Sequence, residues 1–374
     1  MSRFEFSKKH QIEIEEDSLR KALIDLELAR YYARRGEFTK CKEIISKIRE
    51  SYKNNYFASL FSALNLTEGI LDFVEQGVGA ALPKLQRARA LSVGARDADE
   101  LPVLIFAWLA NFARIQTDWG RLHEYLISCL TLVQSHFHET LARISIVIAD
   151  SLQEIEEYDS AAKWYMVARD ASLSVGDDAT MNAMLHNRIS IRVYNFRIAA
   201  IDGNLVDFGS RLAKLETEST ENYSLYIGDS SMPWTHALIS GQLSLLSNSN
   251  QAALQLLESP YAKGLSDKWP SVELMRAADV LRCKVELGLI SSELVRCEVD
   301  RIRKNFSSRI ARGDVAIAAN SVAIAFGKFD KLEAKHFSEI SQSALGEYYV
   351  EREIVRHHIC DALSFLPKWL MVKI

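Results

Sequence analysis

The sequence predicts an all-α protein built from about eight helical hairpins, and three observations carry that reading. Glycine and proline are scarce, at 16 and 6 of 374 residues, so few positions demand left-handed backbone or break a helix. Alternating β-branched runs bounded by turn residues are nearly absent, which leaves no candidate sheet. Finally, one frame of small, aromatic, glycine, aromatic and small residues recurs along the chain with a period near 40.

The clearest unit is "ARYYARRGEFTKC", which carries Ala29, Tyr32, Gly36, Phe38 and Cys41. Leu28 and Tyr32 fit a first helix, and Ile44, Ile45 and Ile48 a second. Gly36 is the corner, because a helix commonly ends in a residue with positive φ, which glycine adopts without a Cβ penalty. The slots of Ala29, Phe38, Cys41, Ile45 and Ile48 are next filled by Gly69, Val78, Ala81, Leu85 and Ala88. Ala110, Trp119, Leu122, Leu126 and Cys129 fill them in the third unit, and Ala149, Tyr158, Ala161, Tyr165 and Ala168 in the fourth. The bulky corner residues Phe38, Val78, Trp119 and Tyr158 are spaced by 40, 41 and 39.

Later units follow more loosely, with Gly203 before Leu205, and Gly241, Ala253 and Leu257 around a corner at Asn250. Gly288 then precedes Ile290, and Gly327 precedes Phe329. A helical hairpin of this kind leaves its outer face uncovered, so neighbouring hairpins must stack on it.

This frame resembles the tetratricopeptide repeat (TPR), most closely over Leu28–Cys41 and again at Ala149–Ala168, where Glu156 stands in the glycine slot. The resemblance spans roughly residues 19–340. It implies a right-handed α-solenoid of about eight TPR-like helix–turn–helix repeats with a C-terminal capping helix, which binds proteins or peptides along a concave surface lined by the first helices. The family repeat is nearer 34 residues. The longer period is that of divergent arrays attached to large bacterial signalling regulators. HEAT-like helical repeats share it, so the class of repeat stays open at this level.

Residues 1–16 read as an N-terminal extension, 17–215 as a first half-array, 216–233 as a polar loop or hinge, and 234–374 as a second half-array. The apolar tail "LSFLPKWLMVKI" is expected to cap the final hairpin, since an open stack exposes an apolar face. The net charge of −4 argues against a dedicated nucleic-acid binder. Five scattered cysteines without a C-x-x-C pair read as reduced, buried thiols in a cytoplasmic chain. The N-terminus has no apolar signal region, and the longest apolar run, Leu101–Ala110, is too short to span a membrane.

No phosphate-binding loop, nucleophile elbow or H-E-x-x-H pair is present, so the expectation is a non-enzymatic protein without cofactor or metal. His136, His138 and Glu139 read as a solvated connector; His357 and Asp361, four apart, share a helical face but supply only two ligands. The basic stretch Arg296–Arg312 reads as an exposed helix face, with an acidic or nucleic-acid partner as the alternative.

The candidate partner-binding residues are polar side chains on the first helices. Arg30, Asn111, Arg114, Asp150, Arg197 and Gln242 are expected to face inward, and Arg188, Arg192 and Asn195 form a stripe at i, i+4 and i+7. Such donors suit peptide main chain or carboxylate groups. The lysine and asparagine pattern by which the family grips carboxylates on its first two hairpins is not matched. The expected role is a scaffold, adaptor or regulatory subunit that binds a protein or peptide. The alternative is a ligand-responsive regulator in which residues 216–232 move.

Overall fold

One backbone device closes six of the corners within helix pairs, and the turns at Gly176 and Gly228 between pairs repeat it. Gly36, Thr117, Glu156, Gly203, Asn248 and Gly288 all have positive φ, between 54° and 78°. At each, the next N–H donates to the carbonyl five residues back: Glu37 to Tyr32, Asp118 to Ala113, Glu157 to Leu152, Asn204 to Ala199, Ser249 to Ser244 and Leu289 to Lys284, at 2.8–3.0 Å. The bond satisfies a carbonyl left over at the helix end and turns the chain sharply. Only three of the six positions are glycine, so a motif search on glycine sees half of them. Gly327, expected as a fourth glycine corner, is right-handed instead, with φ −52°. There the turn is made by Phe329 N–H bonding to Phe326 O, and Asp330 caps the next helix.

The computed structural model describes residues 1–93, 100–204, 207–263, 268–306, 310–372 and 374. The protein is all-α, with 18 α-helices and no strand among the described residues. Helix α1 spans Arg3–Ile14. Eight consecutive pairs follow: α2 (Ser18–Arg34) with α3 (Phe38–Ser51), α4 (Ala58–Gln76) with α5 (Val78–Ser92), α6 (Glu100–Ile115) with α7 (Trp119–Leu132), and α8 (His138–Glu154) with α9 (Tyr158–Val175). The next are α10 (Asp178–Ile201) with α11 (Asp207–Ile227), α12 (Trp234–Leu246) with α13 (Asn250–Leu257), α14 (Pro270–Glu286) with α15 (Ser292–Arg303), and α16 (Arg312–Phe326) with α17 (Lys331–Leu363); α18 (Lys368–Met371) ends the chain. Leu205, expected after the Gly203 corner, lies outside the described residues, as does Arg309 of the basic stretch.

Two compact units result. The first comprises Met1–Leu185, Asn222–Met232 and Val355–Ile374, and the second His186–Glu221 and Pro233–Ile354. In the first, α2 packs on α4, α4 on α6 and α6 on α8, while each also packs on its own partner helix. Small residues permit that approach: Ala29, Cys41, Ala81, Ala110 and Ala149 are fully buried. At Gly69 an added Cβ would lie 2.2 Å from Leu85 Cδ1. In the second unit α14 packs on α15 and α16, and Phe326 stacks on Phe337 at 5.8 Å. Gly241 plays the part of Gly69 there, with Leu257 2.8 Å from its would-be Cβ.

Several expectations change. Within residues 1–16, Arg3–Ile14 form helix α1, whose Phe4 stacks on Tyr31 at 4.7 Å while Glu5 accepts from the Tyr32 hydroxyl at 2.8 Å. The polar stretch 216–232 is helical as far as Ile227, because Thr217 and Thr220 return their hydroxyls to carbonyls four residues back and need no water. The loop shrinks to residues 228–233, where Ser230 N–H binds Arg35 O at 3.1 Å. The C-terminal tail is buried together with the end of α17. Val355, Ile359, Ala362 and Leu370 are buried in the core of the first unit, where Asp361 meets His123 Nε2 at 2.7 Å. Cys297 and Cys360 are exposed, unlike the other three cysteines. No described helix is long and apolar enough to cross a membrane.

Candidate functional site

The expected site residues of the first unit come together, but in a denser charged cluster than the sequence suggested. Arg30 and Arg34 lie four apart on α2 and therefore share a face. Glu139 in the first turn of α8 bridges them, at 2.9 Å from Arg30 Nη2 and 2.9 Å from Arg34 Nη1. Arg34 Nη2 also binds Asp177 at 2.7 Å, and Asp177 caps the start of α10 by accepting from Thr180 N–H at 3.0 Å. Burial alone would raise the Glu139 carboxyl; the two arginines outweigh it and hold the group down to about 2.

Glu139, Arg143, Asp150 and Glu154 lie at i, i+4, i+11 and i+15 and form one stripe of α8. At the far end of the stripe Asp150, 0% exposed, takes Arg114 Nη2 at 3.2 Å and the Tyr165 hydroxyl at 2.8 Å. Arg114 also pairs with Glu154. Between the two ends sits Arg143, whose guanidinium lies 3.9 Å from the ring centre of Trp108 on α6. Burial, with Arg34 as a like charge, pulls Arg143 down to about 10, so it stays a cation at neutral pH. Asn111, one turn beyond Trp108, is 4% exposed. Glu100 on α6 accepts Thr140 N–H at 3.0 Å; burial raises it to about 7 despite that bond.

Of the expected residues, Arg30, Arg114 and Asp150 are thus held in buried ion pairs rather than presented free. The second unit repeats this. Arg197 is buried against Asp279 at 2.6 Å, and Ser321 Oγ donates to the same carboxylate at 2.8 Å. Arg188 and Arg192 share Glu216 of α11, Asn195 is buried, and Gln242 is half-buried on α12. Sequence reasoning missed Arg34, Arg143 and Asp177, and it read Glu139 as part of a solvated connector where the carboxylate is in fact mostly buried between two arginines. The available signal was a single arginine, Arg143, within the otherwise uncharged run Thr140–Ala149 of α8.

Among the described residues no group of three or more His, Cys, Asp or Glu side chains is placed to hold a metal ion. Within Arg296–Arg312, Arg296 pairs with Asp330, Arg301 with Glu298, Arg303 with Glu333 and Arg312 with Glu347, so carboxylates offset much of the stretch's charge. No family model, curated protein or solved structure matches the chain.

Proposed function

We propose that the chain is a non-enzymatic interaction protein, a TPR-like α-solenoid that receives a protein or peptide segment along the first helices of its hairpins. The reading is supported by the eight consecutive pairs with a recurring corner. The observation that carries it is the convergence of α2, α6 and α8 on one charged cluster in the first unit. A peptide-binding surface needs directional donors fixed in place before the partner arrives, and side chains locked in ion pairs are pre-ordered in that way.

The moving-loop version of a ligand-responsive regulator has less to stand on, because most of residues 216–232 are helical. The test is to pan a displayed random-peptide library on the immobilised full chain and to titrate the selected peptides calorimetrically. The expected result is saturable binding with slowed hydrogen exchange in α2, α6 and α8. Failure to select any binding peptide, or protection confined to helices outside that set, would overturn the proposal.

A further inference from the structure

We infer that Arg143, Trp108 and Asn111 form a receptor for one carboxylate group of the bound ligand, a deepening that rests on the peptide-binding reading above. Arg143 is 6% exposed, yet among the described residues it makes no hydrogen bond and no ion pair. The other arginines of the cluster differ: Arg30, Arg34 and Arg114 each bind at least one carboxylate. A guanidinium has five in-plane N–H donors, and stacking on an indole face uses none of them. None of the Arg143 nitrogens is among the fully enclosed unpartnered atoms, so the small surface the residue shows to solvent includes its donors. The Asn111 amide has the same character, being nearly buried, without a hydrogen bond among the described residues and not fully enclosed.

An unpaired buried cation is costly to a fold, and an anion that arrives from outside removes the cost. Glu139, Asp177 and Asp150 all act electrostatically on Arg143. Those three carboxylates repel a dianion such as phosphate more strongly than a monoanion, and a planar carboxylate matches the guanidinium fork. The carboxylate comes either from a peptide or from a free small acid, and the experiment separates these sources.

Each peptide selected by panning is resynthesised with its carboxyl groups converted one at a time to amides. Wild-type protein and Arg143→Gln are titrated with both forms, and their melting is followed in sodium acetate, sodium phosphate and sodium chloride at equal ionic strength. One carboxyl should matter roughly ten- to a hundredfold in wild type and not at all in Arg143→Gln. Arg143→Gln alone should melt no lower than wild type, because it removes an unpaired charge.

If the peptides bind but no single amide weakens them, the carboxylate receptor is overturned and the peptide reading survives. If no peptide binds while acetate raises the melting temperature of wild type and not of Arg143→Gln, the receptor stands with a free acid as its source, and the peptide reading fails. Stronger stabilisation by phosphate than by acetate, or a markedly lower melting temperature in Arg143→Gln, overturns the inference. The amide series on wild-type protein decides the matter even where the variant does not fold.

Discussion

Each unit buries an aspartate completely and holds it with an arginine and a hydroxyl: Asp150 with Arg114 and Tyr165 in the first, Asp279 with Arg197 and Ser321 in the second. The surroundings differ. Arg114 keeps a second carboxylate, Glu154, whereas Asp279 is the only ion-pair partner of Arg197 among the described residues. The extra arginines differ too. Arg282 and Arg143 each have a carboxylate one turn before them on their own helix, Asp279 and Glu139, that opposes the downward pull of burial, but Glu139 is already bonded to Arg30 and Arg34. Among the described residues Arg143 has no carboxylate bonded to it, and it rests on Trp108. On the proposal above, Arg143, stacked on a ring with no acid bonded to it among the described residues, is the arginine that an external anion completes.

The largest expected effect tests that asymmetry. Asp279→Ala strands Arg197 and should cost about 3–5 kcal/mol of unfolding free energy. Asp150→Ala leaves Arg114 with Glu154 and should cost about 2–3 kcal/mol. Urea unfolding gives the magnitudes, and hydrogen exchange by mass spectrometry assigns each loss to its unit. Equal costs would show that Glu154 does not compensate for Asp150.

Acid–base behaviour comes next. Burial raises Glu100 in the first unit to about 7 and Asp314 in the second to about 6. A carboxyl held above its ordinary value favours the folded state while protonated. The Glu100 contribution is therefore full below about 4.5 and lost as pH rises to about 7; the Asp314 contribution is lost between about 3.8 and 6. Glu100→Gln and Asp314→Asn should each flatten their own window, by on the order of 1–3 kcal/mol. Stability measured against pH for each variant checks both the sign and the window.

Packing gives a closer comparison. Gly69→Ala should cost about 1–3 kcal/mol, and Gly241→Ala somewhat less, because the would-be Cβ is 2.2 Å from Leu85 in one case and 2.8 Å from Leu257 in the other. The smallest effect has the opposite sign. Thr117→Gly in the first unit and Asn248→Gly in the second relieve left-handed backbone at φ 54° and 56°. Thermal unfolding should show a gain of about 1 kcal/mol for Thr117→Gly and less for Asn248→Gly, since asparagine tolerates this region better than a β-branched residue.

Much of the fold was legible in the chain because helix periodicity and close packing are local constraints. Ala29, Cys41 and Ala149 are small where two helices meet, and that requirement shows in a single frame of residues. The left-handed corners at Thr117, Glu156 and Asn248 were legible only through their spacing, because no glycine marks them. Polar character misled at residues 216–227, since serine and threonine look alike in a loop and in a helix where they bond to the preceding turn.

What the sequence by itself determined is the all-helical class, the small residues at helix contacts and most of the corners, since each depends on neighbours within one or two helices. Which charges meet was decided by the tertiary structure alone. Glu139 stands 109 residues from Arg30, and Asp177 stands 143 from Arg34. Nothing in local periodicity ties such distant positions together, and nothing in it reveals that Arg143 stacks on the ring of Trp108. Pairing between charges depends on distance in space, which only the packed chain supplies.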